Sequence, residues 1–352
     1  MTGSTSQAPV LVSFAEEYFA PVSRELRREA PVVGIERLGP DLAGVTLDGM
    51  GLGKLATVVR EAPVVFAKHL TGEAARLPLD GVTLPAVAAR AVAVVDERLP
   101  AGGELALQCW VSGQDRTGFG SAALFREIAD ALGASGRAVR RTGPEWVLSA
   151  CVHDRGVSLG LAAADEALCG WPGGRVRLAR SRDSVSRAEF KLEELISTTD
   201  LPFPRRGRAI DLGASPGGWT RILRERGLEV WSVDPGDLAP ALARDPLVHH
   251  ERTTVGRFLP GTPVRFDLAV NDMRMPPKLS CETMLDVARV LRPGALAVVT
   301  LKLGKGAPER TVRSCLDLLG RRYEVLLARQ LHHNRNEVSV VARLAAARGG
   351  GR

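Results

Sequence analysis

The alternation of apolar and polar positions divides the chain into two textures. In the first half, "EWVLSACVHD" (145–154) alternates with the period of two expected of a strand, and "VSLGLAAA" (157–164) follows as another. "SAALFREIADALG" (121–133) carries apolar residues at helical spacing, with Ser121 expected at the N-cap and Gly133 at the stop. This half reads as mixed α/β without an internal repeat. From residue 207, short apolar runs alternate with helical stretches: "RAIDLG", "LEVWSVD", "RFDLAVND" and "GALAVVTLK" between segments such as "WTRILRERG" and "CETMLDVARVLR". That alternation predicts a doubly wound, Rossmann-like parallel sheet in an α/β protein. Two β-rich runs near the end, "RYEVLLARQL" and "EVSVVARL", are joined by "HHNRN" and predict an antiparallel hairpin that finishes the sheet.

The texture breaks at "CGWPGGRVRLARSRDSVSRAEFKLEELI" (169–196). Pro172, Gly173 and Gly174 mark a linker, and Arg175, Arg177, Arg180, Arg182 and Arg187 lead into a helix that contains Lys191. The expected organisation is a smaller α/β domain over 1–170, a basic linker over 171–185, a Rossmann-like domain over 186–346 and a tail over 347–352. A chain of 352 residues can bury two or three separate cores.

Composition changes this picture in three places. The start of the chain lacks a basic segment followed by a long apolar run, and "AVAARAVAVV" is too short and interrupted to span a bilayer, so the expectation is a cytoplasmic protein with no membrane partner. The five cysteines form no CxxC pair, and the pairs His249-His250 and His332-His333 lack further ligands at metal-binding spacing, so no metal is expected. Charge is uneven: residues 1–170 hold 16 basic and 20 acidic side chains, net −4, and residues 171–352 hold 31 and 20, net +11. A basic half suits a polyanion such as nucleic acid. Nothing in the composition indicates an oligomer, and a monomer is expected.

The candidate chemistry lies in the second half. "DGMGLGKL" (48–55) is a false phosphate loop, because a P-loop needs Ser or Thr after the lysine and Leu55 stands there. "IDLGASPGGWT" (210–220) is different: a strand runs through a glycine-rich turn into a helix, where Gly213, Gly217 and Gly218 let backbone approach a ligand. Asp234 ends the second strand, where an acid takes ribose hydroxyls. These residues alone admit S-adenosylmethionine as readily as NAD. The lysines add a sharper clue. The chain has 47 basic residues and six lysines, yet Lys302 ends a buried-looking strand. Arginine stays protonated, whereas a lysine of lowered pKa can accept a proton.

"DLGASPGGWT", "SRAEFKLEE", "VNDM", "LKLG" and "RNEVSVVA" together resemble the FtsJ/RrmJ-type RNA 2′-O-ribose methyltransferases over about residues 182–344. The family's Lys-Asp-Lys-Glu tetrad falls on Lys191, Asp272, Lys302 and Glu337. "VDPGDLAPAL", "LKL" and "ARQLHHNRNEVSV" are similar to the RlmM-type branch, which methylates a cytidine ribose of bacterial 23S rRNA and carries a THUMP-like RNA-binding module ahead of its catalytic domain. The resemblance implies S-adenosyl-L-methionine as cofactor and rRNA, or a ribosomal assembly intermediate, as partner. It makes Lys302 the general base for the 2′-hydroxyl, provided that Lys191 and partial burial lower its pKa, with Asp272 and Glu337 orienting the lysines and the hydroxyl. It also implies that Gly213, Ser215, Pro216, Gly217, Gly218 and Trp219 line the methionine and ribose side of the cofactor, that Asp234 holds the ribose, and that Ser186 and Asp272 touch the cofactor. The family's acid after the third strand is absent; Thr253 and Thr254 stand there, and Thr254 takes the adenine side. Arg274, Lys278 and Arg335 are expected to steer phosphate.

Other chemistries fit less well. "NDMRMPPK" lacks the aromatic residue that amino-group methyltransferases stack on a flipped base, and Cys281 sits on an expected helix rather than in a Pro-Cys loop. Two alternatives remain open: a non-catalytic RNA-binding or ribosome-assembly factor on a methyltransferase fold, or the same chemistry on tRNA or an mRNA cap.

Overall fold

The computed structural model describes residues 8–62, 64–179, 184–304 and 306–346. Arg180 and Arg182 of the basic stretch, Lys305 and the tail 347–352 lie outside the described residues. The chain divides into two compact units, Met1–Val176 and Arg177–Arg352. The first is therefore as long as the second, not the smaller domain expected. Residues 171–176, read from sequence as linker, fold into the first unit: Ser13 Oγ donates to the Gly173 carbonyl at 2.9 Å, and Arg175 pairs with Asp41.

The first unit is built on a mixed eight-stranded sheet. Its strands are β1 (Val10–Ser13), β2 (Val32–Gly39), β3 (Leu42–Leu47), β4 (His69–Leu77), β5 (Glu104–Val111), β6 (Ala138–Arg140), β7 (Trp146–His153) and β8 (Gly156–Ala163), in the spatial order β2-β3-β1-β4-β8-β7-β5-β6. Its helices are α1 (Phe19–Glu29), α2 (Leu52–Glu61), α3 (Leu84–Asp96) and α4 (Gly120–Ala134). One face of the sheet packs Leu107, Leu148 and Leu159 against α3 and α4. The start of α4 differs from the expectation at Ser121. Asp115, five residues upstream, accepts from the backbone N–H of Thr117, Gly118 and Gly120 and closes the turn ahead of the helix. Gly133 lies inside the helix, because its last turn continues over a buried Leu132.

The second unit is the one that carries the candidate chemistry. Its strands are β9 (Arg208–Leu212), β10 (Glu229–Val233), β11 (Val248–Glu251), β12 (Phe266–Asn271), β13 (Leu291–Lys302), β14 (Tyr323–Arg329) and β15 (Glu337–Leu344). They lie in the order β11-β10-β9-β12-β13-β15-β14, parallel except for β15, which is antiparallel to both of its neighbours. The hairpin thus finishes the sheet by inserting its second strand between β13 and β14. The helices are α5 (Glu189–Thr198), α6 (Gly218–Glu225), α7 (Pro240–Ala243), α8 (Val255–Gly261), α9 (Pro277–Val287) and α10 (Pro308–Leu319). Leu192 and Leu195 of α5 and Trp219, Ile222 and Leu223 of α6 bury one face of the sheet against Ala209, Val230, Leu268 and Val298. The chain reverses direction across the sheet between β9 and β12. Open α/β sheets bind ligands at that switch point, beyond the carboxyl ends of the strands. Among the described residues no helix is long and apolar enough to cross a membrane.

Candidate active site

Three strand ends and one helix supply the four side chains. β12 ends in Asn271, whose buried side chain accepts from the Met273 N–H at 3.0 Å and donates to Ser280 Oγ at 3.2 Å. This turn projects Asp272 over the sheet. Lys302 closes β13, and antiparallel pairing sets it directly opposite Glu337, the first residue of β15. Lys191 reaches the same point from α5, with Phe190 and Glu194 on neighbouring positions of the helix.

The four side chains converge. Lys191 Nζ lies 2.8 Å from both oxygens of Asp272 and 2.9 Å from Glu337 Oε1. Lys302 Nζ contacts Asp272 Oδ1 and Glu337 Oε2. Thr300, two residues before Lys302 and on the same face of β13, donates from Oγ1 to Asp272 Oδ1 at 2.5 Å. Nothing chemical singled out Thr300 in the sequence. Two cations and two carboxylates neutralise one another here. Burial alone would lower the Lys302 pKa, but the adjacent Asp272 and Glu337 charges outweigh it and raise the pKa above the ordinary lysine value. The expected lowering of Lys302 is therefore corrected: the neighbouring Lys191 is itself neutralised by the same two carboxylates. Burial likewise opposes ionisation of Asp272, yet the Lys191 and Lys302 ammonium groups hold its pKa below the ordinary carboxylate value.

Beside the tetrad lies a cavity of about 610 Å³, lined in part by Gly213, Ser215, Asp234, Thr253, Thr254 and Asp272. Gly213 has φ of +75°, and a Cβ there would come 2.4 Å from Met273 Cγ, so only glycine fits both the backbone and the space. Asp234 joins two turns, accepting from Gly236 N–H at 2.7 Å and Ser215 N–H at 3.2 Å. Met273, Met275, Leu259 and Leu279 give the cavity an apolar wall that sequence reasoning missed. They carry no polar signature by which a sequence could mark them. Arg274 also lines the cavity, while Lys278 and Arg335 are exposed.

Ser186, Pro216, Gly217, Gly218 and Trp219 are not among the residues that line this space. Trp219 faces the core at 3% exposure, and its indole Nε1 donates to the Ala188 carbonyl at 2.7 Å. Ser186 packs instead against Gly218, where an added Cβ would lie 2.2 Å from Ser186 Oγ. Among the described residues no cluster of His, Cys, Asp or Glu side chains could hold a metal ion.

A parallel sheet that reverses at β9, a glycine turn beside an acid-bordered cavity and an antiparallel β15 define a Rossmann-like methyltransferase fold. Residues 184–341 match the family described as FtsJ-like methyltransferase. The chain is 44% identical over 183 residues to "Ribosomal RNA large subunit methyltransferase M" of Halorhodospira halophila, covering 51% of this chain and 53% of that protein. It is 36% identical over 231 residues to the protein of the same name from Alkalilimnicola ehrlichii, covering 62% of this chain and 61% of the relative. The chain thus spans about half to three fifths of the length of these curated relatives. Among solved structures, TrmN from Thermus thermophilus aligns with 96% of this chain and 99% of its own at 17% identity, with a TM-score of 0.38, which is too low to bear on function.

Proposed function

We propose that this protein transfers a methyl group from S-adenosylmethionine to a ribose 2′-oxygen of rRNA, with a cytidine of 23S rRNA as the target. The observation that carries this reading is the convergence of Lys191, Asp272, Lys302 and Glu337 at the edge of the cavity. The names of the two relatives support the rRNA assignment. In the same reading, residues 1–176 form a THUMP-like RNA-binding module, 177–185 a basic connection and 186–346 the catalytic domain, and the protein works as a cytoplasmic monomer on rRNA or an assembly intermediate.

The cavity suits the cofactor. The absent side chain of Gly213 lets Met273 pack against the turn at the cavity wall, the Asp234 carboxylate suits ribose hydroxyls, and the methionines and leucines suit an adenine face, with Thr253 and Thr254 offering hydroxyls at its edge. When bound, S-adenosylmethionine supplies a methyl on a sulfonium, an electrophile that needs no metal. Lys302 is the base because of its coordination. A lysine ammonium has three donors; Lys191 directs its own at both Asp272 oxygens and Glu337, whereas Lys302 makes two such contacts and is the more exposed, at 23% against 11%. The remaining position on Lys302 Nζ takes the 2′-hydroxyl. Asp272 and Glu337 keep the nitrogen aimed and balance its charge once it holds the proton. A permanently charged arginine could bind at this place but could not accept that proton.

The test is transfer of labelled methyl from S-adenosylmethionine to transcribed 23S rRNA, followed by alkaline hydrolysis. Ribose methylation leaves the label in an alkali-resistant dinucleotide, and Lys302→Arg abolishes it while cofactor affinity is kept. Label in mononucleotides would place the chemistry on a base ring. Full activity of Lys302→Arg would remove the general-base role.

A further inference from the structure

Two buried carboxylates flank Lys191 on α5, and the reaction as derived uses neither. Glu189 is 1% exposed and Glu194 is 3% exposed. Each is engaged by backbone N–H groups and a basic side chain from a different part of the unit. Glu194 Oε1 accepts from the His332 N–H at 2.8 Å; Oε2 accepts from the His333 N–H at 2.9 Å and contacts His333 Nδ1 at 2.7 Å. The His333 ring also stacks on Phe190 at 5.2 Å. These residues form the β14–β15 loop, whose far end is Glu337. That loop is pinned again where Asn336 O accepts from Leu303 N–H at 2.7 Å, immediately after Lys302.

Glu189 points the other way. Its Oε1 accepts from the N–H of Val185 at 2.6 Å and of Ser186 at 3.1 Å, and its Oε2 takes Arg221 of α6 in a two-pronged contact at 2.5 and 3.1 Å. It thereby clasps the segment of Ser186 to the first turn of α6, where Gly218 has no room for a side chain beside Ser186 Oγ and Glu189 Cγ. The glycine turn of the cofactor cavity runs directly into this helix. Burial would raise the Glu189 pKa, but Arg221 and the two N–H groups hold it below the ordinary value, so the clasp carries a full negative charge near neutrality.

We propose that α5 positions the two halves of the site through separate carboxylates: Glu194 holds the hairpin loop that presents Glu337 to the lysines, and Glu189 holds the turn that shapes the cofactor cavity. Neither is a catalytic residue. Both act through other groups, and the inference rests on the methyl-transfer reading above. Lys191 sits between them, so the helix keeps tetrad and cavity in register. An amide at either place turns one acceptor into a donor that faces an N–H.

The test compares wild type, Glu194→Gln and Glu189→Gln in kcat for methyl transfer to 23S rRNA and, by calorimetry, in Kd for S-adenosylhomocysteine. Glu194→Gln lowers kcat by about tenfold or more, the scale that a sub-ångström misplacement costs, and leaves Kd within about twofold. Glu189→Gln raises Kd by about tenfold and leaves kcat at saturating cofactor within about threefold. His333→Gln and Arg221→Lys perturb the same contacts from the more exposed partner and reproduce the split where a buried amide fails to fold. Equal losses in both parameters, or none, for either carboxylate would overturn the proposal. A wild type that binds S-adenosylhomocysteine but methylates no RNA would instead overturn the methyl-transfer reading, and Kd of Glu189→Gln would still decide that half of the proposal.

Discussion

At the scale of single residues, ionisation separates two acids that look alike in sequence. Asp272 faces two ammonium groups and stays charged; Asp211, inside β9, takes the Thr220 hydroxyl and among the described residues has no ion pair. Burial pushes the Asp211 pKa up to about 7, against a smaller opposing effect of the Thr220 hydroxyl, which donates to it at 2.7 Å and also contacts Ser232. A carboxyl raised in the folded state gives stability that is complete below its unfolded pKa of 3.8 and is lost as pH rises towards 7. Asp211→Asn removes that loss, so the stability of the variant relative to the wild type, measured by denaturant unfolding, rises between about pH 4 and 7 by up to about 1.4 kcal/mol per unit. A difference between variant and wild type that does not change over this range would show that Asp211 is ionised throughout. Lys302 gives the opposite kind of readout. Its raised pKa keeps it protonated at neutral pH, so kcat climbs with pH into the alkaline range, and Asp272→Asn, by removing one carboxylate, moves the rising limb to lower pH.

At the scale of elements, the turn between β9 and α6 is the most demanding piece. Gly213→Ala meets both a positive φ and Met273, and the strain of a left-handed alanine is about 1–2 kcal/mol before any contact is counted. The expected outcome is weaker S-adenosylhomocysteine binding, by roughly tenfold or more, in a protein that still folds, because about 1.4 kcal/mol is tenfold in affinity. Calorimetry on the variant checks this. The strand pattern of this unit was readable in the sequence: the runs "RAIDLG", "LEVWSVD", "RFDLAVND" and "GALAVVTLK" hold β9, β10, β12 and the end of β13. "VHHE", which forms β11, was not, because a four-residue edge strand with half-exposed side chains has no apolar alternation to betray it. The misplaced start of α4 has a local cause, since Asp115 folds the preceding turn back on its own carboxylate and starts the helix at Gly120, one residue before the Ser121 expected to cap it.

At the scale of the whole molecule, charge is the property that matters. The net +11 of residues 171–352 predicts RNA binding that weakens steeply with salt, with log Kd linear in log salt concentration and a slope near 0.7 per phosphate neutralised on a single strand. Filter binding of an rRNA transcript across a salt series measures it. A salt-independent Kd would mean that the arginines are spent inside the protein. Several are: Arg175, Arg221 and Arg224 pair with Asp41, Glu189 and Asp245.

Residue spacing by itself marked β9, β10, β12, β13 and the closing hairpin of the second half, because strand ends and glycine turns are local features, and resemblance to a family placed the four positions of the tetrad. The first half yielded only its α/β texture, since nothing local says how eight strands will be ordered in a mixed sheet. Tertiary structure alone decided the rest of the site. It put Thr300 on Asp272, sent Trp219 into the core, and raised rather than lowered the Lys302 pKa. Each of these depends on which groups meet across strands far apart in the chain, and electrostatic and packing energies follow those distances rather than sequence separation.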